Sequence, residues 1–439
     1  PISFSPSQEW DGNDGHWSSF IMRVGKPEQN FRVFPASAMG ETLVPIIDGC
    51  GPKDPPNCGD LRGVYPFQDK VSGGLQVNVS TTWSEIGIYY LDVRPEVNFT
   101  GKGLYGLENL GLMVQNSGGP TLEKQVVAGV KTKTIYTGLF GLSPKASNFS
   151  EFNNPQPSYM TTLKNSKTIP SLSFGYTAGA YYKSPKVLGS LTLGGYDSSR
   201  YESNNVTFPF DTNDDRPISL NIQNIIAKDT LIGVQSLMSD VTYTRIDFTV
   251  PHLWLPKSVC DRFATAFGLT YDDATDLYLV NDTIHYKLLH KNPSVTIGLG
   301  SSYNPTQRVN VVLPYSAFDL QARYPIYNNE TNYFPIRRAY NESQYTLGRT
   351  FLQEAYVTVD YERSNFSVYQ ALFPPTNVKQ QLVSIASTDV AAVGGLSPTQ
   401  TPHGGHLSHR AMAGIAIGSI AVLLVCVFVA LTFLCCRRK

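Results

Sequence analysis

Arg32–Pro45 (RVFPASAMGETLVP) and Thr244–Pro256 (TRIDFTVPHLWLP) share one pattern, and this pattern decides the fold. When Ala36 is aligned with Asp247, the residue nine positions further along is a proline in both stretches. Two apolar residues precede each of these prolines. The chain therefore repeats itself once.

A second pair of segments supports the repeat. Each half contains a turn in which an apolar residue precedes a glycine, in Gly138–Leu142 (GLFGL) and in Thr346–Arg349 (TLGR). Each turn lies about a hundred residues after the first motif of its half. Two halves that share an order of strands predict a pseudo-twofold, two-lobed β fold with a cleft between the lobes.

Most of the remaining pattern is typical of strands. Ala355–Asp360 (AYVTVD) and Asn365–Tyr369 (NFSVY) are β-prone runs separated by a short polar segment, which predicts a hairpin. The best helical candidate is Lys257–Leu269, in which Cys260 and Phe267 fall at helical spacing. These two side chains are expected to face the core, and Cys260 is expected to be a buried thiol.

Three further segments match one family in the same order. They are Val24–Gln29 (VGKPEQ), Gly189–Asp197 (GSLTLGGYD) and Tyr345–Asp360 (YTLGRTFLQEAYVTVD). Over about residues 15–370, the ordered set resembles the pepsin-like aspartic peptidases, and it is most similar to their divergent, membrane-anchored fungal branch. The resemblance implies an all-β, bilobal fold with a central cleft, an N-terminal lobe at 1–200 and a C-terminal lobe at 201–370.

The resemblance also locates the catalytic positions, and there the sequence departs from the family. Such enzymes need two facing carboxylates, one from each lobe, that share a proton. One carboxylate activates water while the other protonates the scissile carbonyl oxygen. The second acid is present as Asp247, but Ala36 stands at the position of the first. In the family, each acid begins an Asp-Thr/Ser-Gly turn. Here both turns lack the glycine, and Phe248 stands where the second turn would have the hydroxyl side chain of Thr or Ser. The resemblance therefore implies that the chain retains the fold of the family but has an impaired catalytic site.

Two alternatives for this site stay open. Glu41 and Asp48 lie near Ala36 in the sequence and are candidates to replace the missing acid. Asp247 is also a candidate for a purely structural role, in which its carboxylate accepts hydrogen bonds from loop amides and fixes the turn.

A flap over the cleft is expected within Tyr89–Leu110. This segment has no Tyr-Gly-x-Gly motif, which the resemblance would place there. Tyr90 and Tyr105 are poor matches for the flap tyrosine, so the sequence does not assign that residue.

The charge balance excludes one large class of partners. Lys and Arg total 35 and Asp and Glu total 35 in 439 residues, so the formal net charge is zero. A protein held to nucleic acid by a broad basic surface needs an excess of cations. Charged residues make up only 16% of the chain, so uncharged polar side chains or attached sugar must supply polar surface. No cofactor and no metal site is predicted.

The C-terminal end predicts a membrane anchor. Residues 411–436 (AMAGIAIGSIAVLLVCVFVALTFLCC) carry no charge and exceed the roughly 20 apolar residues that a transmembrane helix needs. Basic residues at 437–439 follow directly, which predicts a cytoplasmic tail and an extracellular N-terminal domain at the plasma membrane. Residues 371–410 are predicted to be a flexible stalk. Gly414 and Gly418 form a GxxxG motif, which is a candidate dimer contact.

Sequons and cysteines agree with an extracellular location. Eight acceptor triplets for N-glycosylation lie on the proposed outer side, at Asn78, Asn98, Asn148, Asn205, Asn281, Asn329, Asn341 and Asn365. Cys50 and Cys58 flank a Pro- and Gly-rich loop and are predicted to form a disulfide in an oxidising compartment. The sequence thus predicts a single-pass surface glycoprotein.

Three functions follow as hypotheses. The first is a cell-surface, glycosylated pseudo-peptidase whose cleft binds a peptide or another extracellular ligand without cutting it. The second is an active membrane-anchored aspartic endopeptidase that uses Asp247 with a non-standard partner. The third is a structural surface glycoprotein with no cleft ligand. The first is favoured because Ala36 removes one carboxylate, and such a loss costs on the order of 10⁴-fold or more in rate.

Overall fold

The computed structural model describes residues 1–91, 93–150, 153–238, 240–301, 307–375 and 378–389. In these ranges, no helix combines the length and the apolar composition that crossing a bilayer requires. The predicted span at 411–436, with Gly414 and Gly418, lies outside the described residues, as does the predicted tail at 437–439.

The first half of the chain consists mainly of short strands, because β-prone runs alternate with turns rich in Gly, Pro and Asn. Its strands are β1 (Ile2–Phe4), β2 (Pro6–Asp11), β3 (Trp17–Val24), β4 (Gln29–Ala36), β5 (Thr42–Pro45), β6 (Ser84–Tyr90), β7 (Lys102–Leu112), β8 (Thr121–Val130), β9 (Gly138–Gly141), β10 (Ser173–Ala180), β11 (Val187–Leu193) and β12 (Gly195–Asp197). Its α-helices are α1 (Cys58–Leu61) and α2 (Tyr159–Asn165).

The second half is built in the same way. Its strands are β13 (Phe208–Pro209), β14 (Ser219–Thr230), β15 (Gly233–Met238), β16 (Thr242–Ile246), β17 (Leu253–Pro256), β18 (Thr270–Asp272), β19 (Leu277–Leu279), β20 (Ser294–Gly300), β21 (Arg308–Pro314), β22 (Leu320–Ala322), β23 (Thr331–Phe334), β24 (Ile336–Ala339), β25 (Thr346–Leu347), β26 (Ala355–Asp360), β27 (Asn365–Gln370) and β28 (Leu382–Ser384). Its α-helices are α3 (Lys257–Phe267), α4 (Asp282–Lys291) and α5 (Arg349–Leu352).

Each half forms an eight-stranded sheet. The strand order is β2-β3-β4-β9-β5-β8-β7-β6 in the first half and β21-β20-β14-β16-β25-β17-β24 in the second, where β15 pairs with β14. In the first sheet, β9 is parallel to β4 and antiparallel to β5. In the second, β25 is parallel to β16 and antiparallel to β17. The two repeat motifs therefore have the same topology.

A six-stranded sheet joins the two halves. Its order is β1-β11-β10-β26-β27-β13, so each half supplies three neighbouring strands. The halves meet where β10 pairs antiparallel with β26, with Phe174 opposite Val359. Both side chains are buried in the main hydrophobic core. This shared sheet fixes the position of one lobe against the other.

The mainly β architecture expected from the sequence is confirmed, and so are its two clearest local elements. β26 and β27 form the predicted hairpin, with Asp360 opposite Asn365 at its end. The predicted helix begins at Lys257 and ends at Phe267 rather than at Leu269, because Gly268 adopts a left-handed conformation with φ +67° that closes the helix. Cys260 on this helix is a buried free thiol, as expected.

The predicted disulfide between Cys50 and Cys58 is confirmed. Asp54, inside the loop that it closes, accepts a hydrogen bond from Tyr324 Oη at 2.6 Å. The Asp54 carboxylate also pairs with Lys133 Nζ at 2.6 Å. The disulfide loop therefore contacts both halves of the chain.

The folded body extends further toward the C-terminus than the sequence indicated. Residues 1–388 belong to one compact unit. β28 pairs antiparallel with β12, and Arg363 Nη1 donates a hydrogen bond to the carbonyl of Ala386 at 2.9 Å. The described part of 371–388 thus packs on the body, although the composition predicts a flexible stalk from residue 371. The remaining stalk residues, 390–410, lie outside the described residues.

Candidate functional site

The two repeat loops meet at the centre of the molecule in equivalent positions. Ala36 ends β4 opposite Gly141. Asp247 directly follows β16 and donates its amide to the carbonyl of Leu347, the residue before Gly348. A β-carbon added at either glycine would lie within 2.6 Å of two carbonyl oxygens in the adjoining loop. This close approach requires glycine in both turns, and it places Ala36 where the other lobe has Asp247.

Hydrogen bonds join the two loops across the cleft. Ser37 Oγ donates to Asp247 Oδ1 at 2.7 Å, and the Ala38 amide donates to Thr249 Oγ1 at 3.1 Å. The Thr249 amide donates to Asp247 Oδ1 at 3.0 Å. The hydroxyl that locks the second loop to the first thus comes from Thr249, one residue after the expected position at Phe248.

The second oxygen of Asp247 is bound by an arginine. Arg94 Nη1 forms an ion pair with Asp247 Oδ2, and Arg94 Nη2 donates to Thr346 Oγ1 at 3.0 Å. Arg94 is 1% exposed and Asp247 is 3% exposed. A buried carboxylate whose two oxygens are both bonded is stabilised in its charged form. Asp247 is therefore held by its neighbours and is closed to the cleft.

Arg94 lies in the flap hairpin formed by β6 and β7. The connection between these strands includes the 3₁₀ turn Pro95–Val97. Arg94 Nε donates to Glu96 Oε1 at 2.6 Å, and the same Glu96 oxygen pairs with Arg245 Nη1 at 3.1 Å. Gln344 Nε2 also donates to the Glu96 carbonyl. The turn of the flap is therefore bound to the C-terminal lobe by ion pairs and by a hydrogen bond.

Asp247, Arg94, Glu96 and Arg245 form a continuous chain of alternating charges, here called the cleft charge network. Its two cations and two anions balance. Burial alone would raise the pKa of Asp247, but Arg94 and the hydrogen bonds from Thr249 and Ser37 lower it to about 2. Asp247 is thus ionised throughout the mildly acidic and neutral range.

The two alternative acids do not reach Asp247. Glu41 Oε1 accepts a hydrogen bond from Ser147 Oγ at 2.6 Å, and Asp48 pairs at the surface with Lys131 Nζ at 2.8 Å. Among the described residues, the hydrogen bonds and ion pairs of Asp247 include no second carboxyl group. Neither Glu41 nor Asp48 therefore replaces the acid that is missing at Ala36.

The candidates for a flap tyrosine, Tyr90 and Tyr105, are not among the hydrogen-bond partners of Asp247, which in the described residues are Ser37, Arg94 and Thr249. Tyr90 is 69% exposed, whereas Tyr105 is buried. The Tyr105 ring packs edge-on against the rings of Tyr89 and Phe149, with centroid distances of 6.0 and 5.3 Å. Tyr89, Tyr105 and Phe149 thus form an aromatic cluster at the base of the hairpin, and Tyr90 lies outside it.

A cavity of about 480 Å³ lies beside this cluster. Its lining includes Met39, Leu43, Tyr89 and Phe149. The space at Asp247 itself measures only about 20 Å³, which is room for about one water molecule. A peptide backbone cannot reach Asp247 in this arrangement, but a side chain can enter the neighbouring cavity.

The glycosylation candidates lie at the surface. Asn78, Asn98, Asn148, Asn205, Asn281, Asn329 and Asn341 are exposed, and Asn365 is half-buried. Asn281 also caps a helix, because its Oδ1 accepts a hydrogen bond from the Ile284 amide at 3.0 Å. Exposure meets the steric requirement for glycan attachment.

Sequence reasoning missed two arginines at this site. Arg94 has no motif around it, so no local signal marks it. Arg349 directly follows Gly348 in the Tyr345–Asp360 segment that carries the resemblance, so its position was visible in the sequence but its role was not. Arg349 is 4% exposed and donates to the carbonyls of Phe248 and Thr249 at 3.1 and 3.0 Å. It therefore fixes the Asp247 loop from the side of the core.

Two known proteins are similar to part of the chain. The chain is 23% identical over 258 residues to barrierpepsin from Saccharomyces cerevisiae, an alignment that covers 57% of the chain and 40% of barrierpepsin. It is 22% identical over 258 residues to candidapepsin from Candida tropicalis, which covers 58% of the chain and 57% of candidapepsin. The chain thus spans less than two thirds of the length of either relative. Residues 111–371, more than half of the chain, match the family model of the eukaryotic aspartyl proteases, and the chain belongs to this family.

Proposed function

We propose that this chain is a non-hydrolysing member of the family, a cell-surface glycoprotein that binds a peptide or another extracellular ligand in its cleft without cutting it. One observation carries the proposal: Arg94 is ion-paired to Asp247, while Ala36 occupies the equivalent position of the other lobe. A cation thus stands beside the single acid, where hydrolysis requires a second acid.

The chemistry of this fold needs a carboxylate and a carboxylic acid that exchange protons with water and substrate. Ala36 has no titratable group, and an arginine guanidinium is a permanent cation in proteins. Asp247, with a pKa of about 2, stays ionised, and its oxygens are occupied by Ser37 and Arg94. Loss of one member of such a pair costs on the order of 10⁴-fold or more in rate, about 5 kcal/mol of transition-state stabilisation.

The cavity of about 480 Å³ supports ligand binding in the same cleft. Its volume falls within the roughly 300–1,000 Å³ of known ligand pockets. Tyr89, Tyr105 and Phe149 give it aromatic walls, and Lys145 lies at its lining. An extended peptide that places an apolar side chain in the cavity matches these walls.

The location belongs to the same proposal. The apolar stretch at 411–436 and the basic residues after it support a single membrane span with an extracellular body. The exposed sequons and the disulfide between Cys50 and Cys58 support an oxidising environment. Gly414 and Gly418 support a weak dimer through the span.

The test is a cleavage assay on the full-length chain in nanodiscs. Denatured casein is incubated with the wild type and with D247N at about pH 3–7, a range chosen around carboxyl pKa values. An active pepsin-like enzyme serves as the positive control. We expect no cleavage above buffer by either protein. Cleavage by the wild type that D247N abolishes would overturn the proposal and establish an active endopeptidase.

A peptide-binding screen on the same preparation separates the proposal from a structural glycoprotein. Phe149→Ala removes an aromatic wall of the cavity, and Tyr286→Ala, at a side chain that is 71% exposed elsewhere, is the matched control. Binding that F149A alone weakens supports a cleft ligand. Failure of every peptide to bind, or equal binding by all three proteins, would favour the structural role.

A further inference from the structure

A second cavity, of about 740 Å³, lies outside the cleft. It forms where the turn between β10 and β11 meets the segment that follows β27. Leu188 and Phe373 contribute to its apolar wall, and Lys183, Lys186 and Arg200 are its charged lining residues. Among the described residues, no Asp or Glu lines it. The cavity thus combines an apolar wall with three cations.

The three cations differ in how closely a carboxylate neutralises them. Lys183 Nζ lies 3.3 Å from Glu354, so its charge is paired. Arg200 Nε lies 3.9 Å from the nearest Asp197 oxygen, and its guanidinium makes no hydrogen bond to another described residue. Lys186 Nζ lies 3.8 Å from the centre of the Tyr181 ring and forms no ion pair with a described residue. Within the described part of the chain, Lys186 therefore carries an unpaired charge, and Arg200, although paired at long range with Asp197, keeps its guanidinium hydrogen-bond donors available to a ligand.

The acids behind the wall are already engaged. Asp197 Oδ1 accepts hydrogen bonds from the amide and the hydroxyl of Ser199 and from the Gln381 amide. Glu354 accepts a hydrogen bond from Tyr182 Oη at 2.6 Å, and burial raises its pKa. Asp197 Oδ2 makes no hydrogen bond to a described residue and lies 3.9 Å from Arg200 Nε. Three cations therefore stand against two carboxylates, which leaves a net positive charge around the cavity.

We infer that this cavity binds an anionic amphiphile, with a carboxylate or phosphate head held by Arg200 and Lys186 and an apolar chain against Leu188 and Phe373. A guanidinium matches both oxygens of such a head group, and hydrogen bonds between charged groups are the strong ones. Arg200 is a suitable anchor because its side chain is only 17% exposed, so water screens its charge weakly. The volume lies within the roughly 300–1,000 Å³ of known ligand pockets.

The experiment titrates the full-length chain, in phosphatidylcholine nanodiscs, with hexyl phosphate by calorimetry, and empty nanodiscs are subtracted. We expect saturable binding of hexyl phosphate, at least tenfold weaker binding of inorganic phosphate, and no binding of hexyltrimethylammonium. The double variant R200Q/K186Q is expected to lose at least tenfold in affinity, because two charge-assisted contacts disappear. Lys228→Gln, at an exposed lysine on β14, should bind as the wild type does.

A second variant keeps the test meaningful if the double variant folds poorly. Phe373→Ala removes part of the apolar wall. It should lower the affinity for hexyl phosphate and leave the affinity for inorganic phosphate unchanged. Equal binding of the cationic amphiphile, or unchanged affinity in both R200Q/K186Q and F373A, would overturn the inference. Repeating the titration in nanodiscs that contain phosphatidylserine identifies the source of the ligand. If phosphatidylserine competes with hexyl phosphate, the natural ligand is a bilayer head group. If it does not compete, the natural ligand is a soluble amphiphile.

Discussion

Arg94 changes what the carboxylate of Asp247 can do. An acid beside another acid titrates in the range where peptide hydrolysis occurs, whereas an acid beside a guanidinium does not. The lowering of the Asp247 pKa from 3.8 to about 2 corresponds to about 2 kcal/mol of folding stability. Because the folded-state pKa lies below the unfolded one, this stability is fully present above about pH 4 and is lost as the pH falls toward 2. The residue thus stabilises the fold.

Replacing Arg94 by Gln is expected to lower the free energy of unfolding by about 3–5 kcal/mol at pH 7, since it leaves a buried carboxylate without its cation. Without Arg94, burial raises the pKa of Asp247, so the deficit should shrink as the pH falls to about 4. Urea denaturation at both pH values measures this. The matched control is D247N/R94Q, which should recover much of the loss at pH 7. A deficit in R94Q that does not change with pH would contradict the assignment.

The positions of Ala36 and Asp247 could be predicted because both lie in a repeat whose spacing is visible in the chain. Arg94 could not be predicted, since it reaches Asp247 from a turn 153 residues away in the sequence. A turn residue has no periodic neighbours, and the resemblance directed attention to a tyrosine in the same hairpin. Contacts of this kind depend on tertiary geometry, which a single sequence does not contain.

The flap hairpin is the element that closes the cleft. Its turn is held by Glu96, which lies between Arg94 and Arg245. Glu96 is half-buried, so water screens these pairs less than it screens surface pairs. The Glu96 carboxylate, which bridges two arginines, therefore adds to the contacts of Arg94 with Asp247 and Thr346 that hold the turn.

Glu96→Ala is expected to raise the amide exchange rate of residues 93–101 about tenfold, because local opening of the turn becomes easier when the bridge is lost. Hydrogen–deuterium exchange with mass spectrometry reports this turn separately from the strands. Glu85→Ala, at an exposed position of β6 in the same hairpin, is the control. Unchanged exchange in E96A, or an equal increase in E85A, would show that the bridge does not hold the flap.

Elements with a strong local pattern were predictable, and those without one were not. The β26–β27 hairpin and α3 follow from β-prone runs and from helical spacing. β28 is short and its side chains are exposed, so the chain around it resembles a linker in composition. It forms a strand because β12 offers it a partner.

At the scale of the whole molecule, contacts outside the cleft also hold the two halves together. Arg323 Nη2 donates a hydrogen bond to His16 Nε2, and the Arg323 amide donates one to the carbonyl of Asn13 at 2.7 Å. The His16 ring stacks on Tyr181 with a centroid distance of 4.1 Å. Burial and the charge of Arg323 lower the pKa of His16 to about 4. The neutral imidazole is therefore part of the contact between the halves.

Because the unfolded chain protonates His16 below about pH 6.5 and the folded chain does not, stability should fall as the pH drops from about 6.5 to about 4. His16→Gln is expected to reduce this slope. Urea midpoints at three pH values in that window measure it. His290→Gln, at an exposed histidine on α4, should keep the wild-type slope. Identical slopes in H16Q and the wild type would rule out this histidine as the source.

The six-stranded sheet has a consequence for any attempt to separate the two halves of the chain. A fragment that stops near residue 200 would expose the whole edge of β10 that normally pairs with β26, including the backbone at Phe174 and Tyr176. An unpaired edge flanked by aromatic side chains recruits other copies of itself. Each half is thus expected to need the other, and a half expressed alone should self-associate rather than stay soluble.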